Sequence, residues 1–104
     1  MNTEPSWDTI RERLSKSFDI QRIVLFGSRA LGTAGPESDW DLLVIANSAL
    51  PFVERQGKAL LALGARDYPL DLLLFTPEEA EAAAAVPGSA VYWAEREGKV
   101  LYAK

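Results

Sequence analysis

Two side chains that build many enzyme sites, cysteine and histidine, are absent from this sequence of 104 residues. Without cysteine the chain has no disulfide and no thiolate metal ligand, a composition that fits a reducing cytoplasm. Without histidine it has neither a histidine-based catalytic triad nor a histidine-ligated zinc site. Any chemistry must therefore come from carboxylates, hydroxyl groups, lysine and arginine.

Long apolar runs and an excess of positive charge are missing as well. No segment approaches the roughly 20 apolar residues of a membrane-spanning helix, and the first residues are too polar and acidic for a signal peptide. The formal net charge of −4 argues against broad binding to the phosphate backbone of a nucleic acid. The length suffices for one domain, so we expect residues 1–104 to fold as one unit away from the membrane.

The hydrophobic pattern alternates between helical and extended segments. Three apolar runs rich in β-branched or leucine residues predict strands covered on both faces, at Ile23–Phe26, Leu42–Ala46 and Leu70–Phe75. Turn residues and helical spacing predict helices from Trp7, over 28–31, 51–63, 77–85 and 90–97, with a short extended tail at 100–102. We therefore expect the α/β (α+β) class, with a small mixed β-sheet of about three strands and flanking helices.

Two acidic residues, Asp39 and Asp41, stand at the start of the second predicted strand. Side chains two positions apart on a strand point to the same face, so these carboxylates need a shared proton, a basic partner or a cation. Mg²⁺ suits such a pair because it prefers oxygen ligands. If the second and third strands are neighbours, Asp71 can join them, and three carboxylates can hold two metal ions about 3.5–4 Å apart.

A Gly27-Ser28 pair lies where the first strand turns into a short helix. Glycine lets the backbone approach a phosphate closely, and the Ser28 hydroxyl adds a donor. Acidic residues on one side and these groups on the other would hold a nucleoside triphosphate for in-line transfer of a nucleotidyl group. Each feature alone is more often a turn or a solvated loop, but their order and spacing together favour a functional site.

The stretch "GSRALG" followed by "SDWDL" resembles the signature of minimal nucleotidyltransferases in the DNA polymerase β superfamily. That signature is Gly-Ser, ten residues, then Asp-x-Asp, and Asp71 matches the third acid of the family. The resemblance implies a polymerase β-like fold in which Asp39, Asp41 and Asp71 are catalytic and bind Mg²⁺. It also implies that Gly27 and Ser28 hold the β- and γ-phosphates of ATP or another nucleoside triphosphate.

Two neighbours of the motif receive roles by the same resemblance. Ser38 precedes the first acid and is expected to orient it. Arg29 either contacts phosphate or pairs with Glu37 or Asp39, and the sequence does not decide between these alternatives.

Free-standing chains of this size are similar to the antitoxin half of toxin–antitoxin modules, whose partner is usually a small helical HEPN-domain ribonuclease. The resemblance implies that such an antitoxin binds its partner, adenylylates a tyrosine on it, or does both. Two alternatives stay open at this point. One is a binding module without catalysis, and the other is a nucleotidyltransferase acting on a small molecule such as an aminoglycoside.

Overall fold

Helices and strands alternate along the chain, as the hydrophobic pattern predicts. The computed structural model of the protein describes residues 4–104. In chain order its elements are α1 (Trp7–Ser15), β1 (Asp19–Phe26), α2 (Ser28–Leu31), β2 (Trp40–Asn47), α3 (Phe52–Leu63), β3 (Leu70–Phe75), α4 (Pro77–Ala84), α5 (Ala90–Glu97) and β4 (Lys99–Ala103). Within the described part of the chain, no helix is long and apolar enough to cross a bilayer.

The strands form one mixed sheet in the order β3-β2-β1-β4. Strands β2 and β3 are parallel, whereas β1 pairs antiparallel with both β2 and β4. The mixed sheet is thus confirmed, but the expected strand number was too low. The tail predicted at 100–102 is part of β4, where Tyr102 pairs with Ile23 on β1. Its short, partly exposed pattern carried no sign of a partner so distant in sequence.

Each face of the sheet carries its own pair of long helices, because the strand residues alternate between two apolar clusters. On one face, residues such as Leu42 and Val44 pack against α1 and α3. On the other face, residues such as Leu43 and Ile45 pack against α4 and α5. The predicted segments of β1 and β2 are buried on both faces, whereas β3 is buried on the α1–α3 face and only partly covered on the other. The ends of the strands remain accessible for a functional site.

Candidate active site

The two acids of the Asp-x-Asp pair flank Trp40 at the beginning of β2. Asp39 directly precedes the strand, and Asp41 is its second residue. Trp40 is buried, at 6 % relative exposure, in the cluster beneath α1 and α3. Since neighbouring strand residues point to opposite faces, Asp39 and Asp41 are directed to the side of the sheet that carries α4 and α5.

Asp71 reaches the same place from the neighbouring strand. In the parallel register of β2 and β3, Asp71 pairs with Asp41, and on the other side Asp41 pairs with Phe26 of β1. Register partners in a sheet present their side chains on the same face. The condition set by the sequence, that the two strands be neighbours, is therefore met, and Asp71 lies beside Asp41.

The Asp41 carboxyl interacts electrostatically with both of the other acids. Burial raises the pKa of the Asp41 carboxyl above its usual value, and the negative charges of Asp71 and then Asp39 raise it further. A buried carboxyl with like charges nearby holds its proton more tightly because its ionised form is poorly stabilised. The ionised form of Asp41 is thus disfavoured by burial and by its two acidic neighbours.

The three carboxylates do not form a ready-made metal cage. Across residues 4–104, no three acidic side chains converge on a single point where they could hold an ion. Asp39 and Asp71 are exposed, whereas Asp41 is half-buried. The backbone fixes the acids on neighbouring strands, and convergence would require the two exposed side chains to rotate.

The turn at Gly27 brings the backbone against Asp41. Gly27 ends β1 with φ 75° and ψ −160° and precedes the first residue of α2, Ser28. A non-glycine residue rarely adopts this conformation, and a Cβ built at position 27 would overlap the Asp41 carboxylate. The glycine therefore permits both the turn and the close approach of its backbone to an acid.

Arg29 contacts neither of the acids suggested for it. Its Nε and Nη2 atoms donate to the carbonyl oxygen of Ser38 at 3.2 and 2.8 Å, and its guanidinium lies 4.3 Å from the centre of the Trp40 ring. Among the ion pairs of residues 4–104, none joins Arg29 to Glu37 or Asp39. The ion-pair alternative is wrong, because the guanidinium is engaged by a carbonyl and an aromatic ring.

Ser38 uses its side chain away from the first acid. Its hydroxyl oxygen accepts a hydrogen bond from the backbone N–H of Gly35 at 2.9 Å, and its own N–H donates to the Gly35 carbonyl at 3.2 Å. The hydroxyl thereby closes the turn before Asp39. Any influence of Ser38 on Asp39 passes through the backbone.

A cleft of about 630 Å³ opens beside the acids, on the β3 side. It is lined by Asp39, Arg66, Tyr68, Pro69, Leu70 and Asp71. Neither Arg66 nor Tyr68 was among the site residues predicted from the sequence. Their position just before the strand that carries Asp71 is the signal that could have found them. A similar depression of about 650 Å³ lies at the other end of the sheet, around Asp19 and Lys104, and contains no motif residue.

Comparison with solved structures places this fold among nucleotidyltransferases and toxin–antitoxin proteins. A toxin–antitoxin crystallised with AMP-PNP is 27 % identical, with a TM-score of 0.59 over 93 % of this chain and 73 % of that one. A mutant of the toxin–antitoxin MntA-HpeT is 26 % identical, with a TM-score of 0.58 over 97 % and 75 %. A protein from Sulfolobus solfataricus described as a nucleotidyltransferase shares the fold at 17 % identity, with a TM-score of 0.64 over 91 % of this chain and 75 % of that one.

The family itself follows from the sequence match. No curated protein matches the chain. A family model described as the nucleotidyltransferase domain, however, matches residues 8–99. That range contains the Gly27 turn, both acids of the Asp-x-Asp pair and Asp71, and it covers most of the chain. The chain therefore belongs to the nucleotidyltransferase domain family.

Proposed function

We propose that the protein is a Mg²⁺-dependent enzyme that transfers AMP from ATP to a tyrosine of a partner HEPN toxin. In this way it acts as the antitoxin of a toxin–antitoxin pair in the cytoplasm, where ATP is available. The observation that carries the proposal is the position of Asp41, which lies between Asp71 on one strand and the Gly27 turn on the other. The 27 % identical toxin–antitoxin crystallised with AMP-PNP supports the same interpretation.

Asp39, Asp41 and Asp71 are the residues that would hold the metal. They offer only oxygen ligands, which Mg²⁺ prefers. Burial, and then the charges of Asp71 and Asp39, raise the pKa of Asp41, and a divalent cation beside it would offset the cost of its ionised form. When bound, the metal would neutralise charge on the phosphoryl oxygens. Because the side chains of Asp39 and Asp71 are exposed, they can rotate, and this rotation would bring the three carboxylates around the metal.

Gly27 and Ser28 would hold the triphosphate tail. Because position 27 has no side chain, a phosphate can lie against the backbone next to the Asp41 carboxylate. Ser28, half-buried at the first position of α2, adds a hydroxyl donor beside it. Both groups stabilise negative charge that grows as pyrophosphate leaves.

The acceptor would enter from the opposite side. Gly27, Asp41 and Asp71 lie in that order across strands β1, β2 and β3, and the cleft with Tyr68 opens beyond Asp71. In-line transfer needs the attacking hydroxyl and the departing pyrophosphate on opposite sides of the α-phosphorus. The hydroxyl oxygen would bond to phosphorus as the bond to pyrophosphate breaks, and a carboxylate of the cleft would take the proton of the hydroxyl.

A protein acceptor suits the cleft beside the acids. Among the described residues this cleft is lined by only six, so it offers little surface of its own for recognising the acceptor. A tyrosine presented by a folded partner brings its own surrounding surface. The toxin–antitoxin character of two structural relatives favours a toxin as that partner.

The direct test combines the protein, its cognate toxin, Mg²⁺ and labelled ATP. We expect label on a toxin tyrosine, and a loss of at least about 100-fold in rate for D41N, whose charge is removed from the centre of the site. D19N is the matched control, because Asp19 lies at the other end of the sheet and pairs with Lys104. A folded, complexed wild type that transfers no label would refute the enzymatic proposal.

Neutralisation by binding alone is the second candidate. It is favoured by the separation of the three carboxylates across residues 4–104 and by relatives crystallised as toxin–antitoxin proteins. The double variant D39A/D41A distinguishes the two functions in cells that express the toxin. Protection equal to wild type, at equal protein level, would mean that contact suffices.

A further inference from the structure

We propose that Arg29 is a positioning residue that fastens the peptide before Asp39 to the Gly27 turn. This inference rests on the proposed function for its catalytic consequence, but its structural part stands by itself. Arg29 belongs to α2, which follows the turn directly, whereas Ser38 and Trp40 flank the first acid. The side chain thus joins the two halves of the motif, which the chain connects only through the loop 32–39.

Two contacts hold the guanidinium of Arg29, namely hydrogen bonds to a backbone carbonyl and contact with an aromatic ring. Its Nε and Nη2 atoms both donate to the Ser38 carbonyl oxygen, and its central carbon, Cζ, lies over the Trp40 ring at 4.3 Å from the ring centre. Trp40 is itself fixed, since it is buried and meets Trp7 edge-to-face at 5.5 Å. A planar cation on a buried ring, with donors forked onto one oxygen, has little freedom to turn elsewhere.

The oxygen that Arg29 holds belongs to the peptide bond between Ser38 and Asp39. Fixing this oxygen fixes the peptide plane from which the Asp39 side chain departs. One residue further, the Trp40 N–H donates to the Pro69 carbonyl at 3.0 Å, just before β3 and its Asp71. Arg29 and Trp40 therefore hold together the three segments that supply the turn, the first two acids and the third acid.

The same geometry argues against Arg29 as a phosphate ligand. Trp40 packs on the α1–α3 face of the sheet, and strand alternation directs Asp39 and Asp41 to the other face. The guanidinium stacked on Trp40 consequently lies across the strand from the carboxylates. To reach a phosphate held by those acids, it would have to leave both the ring and the Ser38 carbonyl.

Lysine separates the two roles. A lysine ammonium binds phosphate as a point charge. It has no flat face that could stack on Trp40, and it lacks the two fixed N–H donors by which arginine binds the Ser38 carbonyl oxygen. We therefore expect R29K to resemble R29A. For both variants kcat falls by roughly 10- to 100-fold, as expected for a misplaced acid, while KM for ATP stays within about twofold of wild type.

Hydrogen exchange supplies a readout that needs no activity. With the metal-free protein and its partner absent, we expect amides of residues 33–41 to exchange faster in R29K and R29A, while those of α4 and α5 are unchanged. R96K is the matched control: Arg96 stacks on Tyr92 at 4.0 Å, on α5 and away from the motif. It should alter neither kinetics nor exchange in residues 33–41.

Either of two results would overturn the inference. Unchanged exchange over residues 33–41 in both folded Arg29 variants would show that the contact fixes nothing. Wild-type kcat in R29K, together with a raised KM for ATP in R29A, would assign Arg29 to phosphate binding instead. If wild type transfers no nucleotide at all, the proposed function fails, and the exchange experiment still decides whether Arg29 fastens the loop.

Discussion

Asp41 holds its place at the centre of the site against unfavourable electrostatics. Its carboxylate is half-buried, and burial, Asp71 and Asp39 all raise its pKa. Removal of this partly buried charge, and of its repulsion by Asp71 and Asp39, should make D41N more stable than wild type in metal-free buffer, with a higher Tm, while nucleotidyl transfer is lost. Thermal unfolding followed by circular dichroism in EDTA measures the change, and a lower Tm for D41N would contradict the argument.

The pH dependence of stability gives a second check on Asp41. Since its pKa is raised in the folded state, the folded protein binds the proton more tightly than the unfolded chain, and protonation favours folding. The ionised Asp41 carboxylate should therefore lower the stability of the fold at neutral pH. This loss of stability should fade as the pH falls towards 3.8, the ordinary pKa of an aspartate. We expect the Tm advantage of D41N to shrink over that range. An advantage that is constant with pH would assign it to packing.

Gly27 and Gly57 form a natural pair of glycine-to-alanine tests. At Gly27, alanine meets a positive φ and the Asp41 carboxylate, so G27A should cost about 1–3 kcal/mol of unfolding free energy and abolish transfer. Gly57 lies exposed within α3, and beyond its own helix no atom of residues 4–104 comes within 4 Å of the place that an alanine Cβ would occupy. Here alanine should stabilise by about 0.5–1 kcal/mol. Urea titration of both variants measures the difference, and equal effects would refute the role assigned to the turn.

At this scale the sequence predicted the positions of the acids but not the contacts of their neighbours. Asp39 and Asp41 share a face because of strand alternation, which is a local property. The fork of Arg29 on the Ser38 carbonyl depends on how the loop 32–39 folds back, and local spacing does not determine that.

Among the elements, α3 and α4 are joined by a buried charge. Arg55 is only 1 % exposed and donates from Nη1 and Nη2 to both carboxylate oxygens of Glu79 at 2.7 and 2.9 Å. Glu79 also accepts from the N–H of Thr76 in the capping box that begins α4. One carboxylate thus starts a helix and neutralises an arginine of its neighbour.

Removal of the Glu79 charge should weaken the contact between α3 and α4 and lower the stability of the protein. We expect E79Q to lose about 1–3 kcal/mol of unfolding free energy, less than for a fully buried pair because Glu79 is partly exposed. The double variant R55M/E79Q should recover part of the loss, since a methionine needs no counter-charge. E78Q, one residue away and exposed, is the matched control. Denaturant unfolding of wild type, R55M, E79Q and the double variant forms the cycle, and additive losses would mean that the pair is not coupled.

The elements differ in how well local pattern foretold them. The helix at 90–97 and the strand at 70–75 have the predicted bounds, because caps and apolar runs mark them locally. In contrast, β1 begins at Asp19, four residues before the predicted Ile23. Its first residues are largely polar and include a register shift between Ile20 and Arg22, so that only pairing with the neighbouring strands makes them a strand.

For the whole molecule, the sheet has two edges that are treated differently. Along the outer edge of β3, the Gln56 side chain donates to the Leu72 carbonyl at 2.8 Å and accepts from the Leu74 N–H at 2.6 Å. The amide of α3 thereby substitutes for a neighbouring strand. At the other edge of the sheet, β4 pairs with β1 and begins with Lys99. A lysine on an edge strand discourages pairing with further strands.

Removal of residues 99–104 should therefore expose β1 as a new edge. Four residue pairs between β1 and β4 would be lost, together with the packing of Leu101 and Tyr102 against the core. We expect a loss of at least about 3 kcal/mol and concentration-dependent association, since the apolar half of β1, from Ile23 to Phe26, would carry unpaired backbone groups. K104A is the control, because it removes only an exposed ion pair with Asp19 and should leave Tm nearly unchanged. Light scattering and thermal unfolding measure both effects; a truncated protein that stays monomeric with the wild-type Tm would mean that β4 neither stabilises nor protects the sheet.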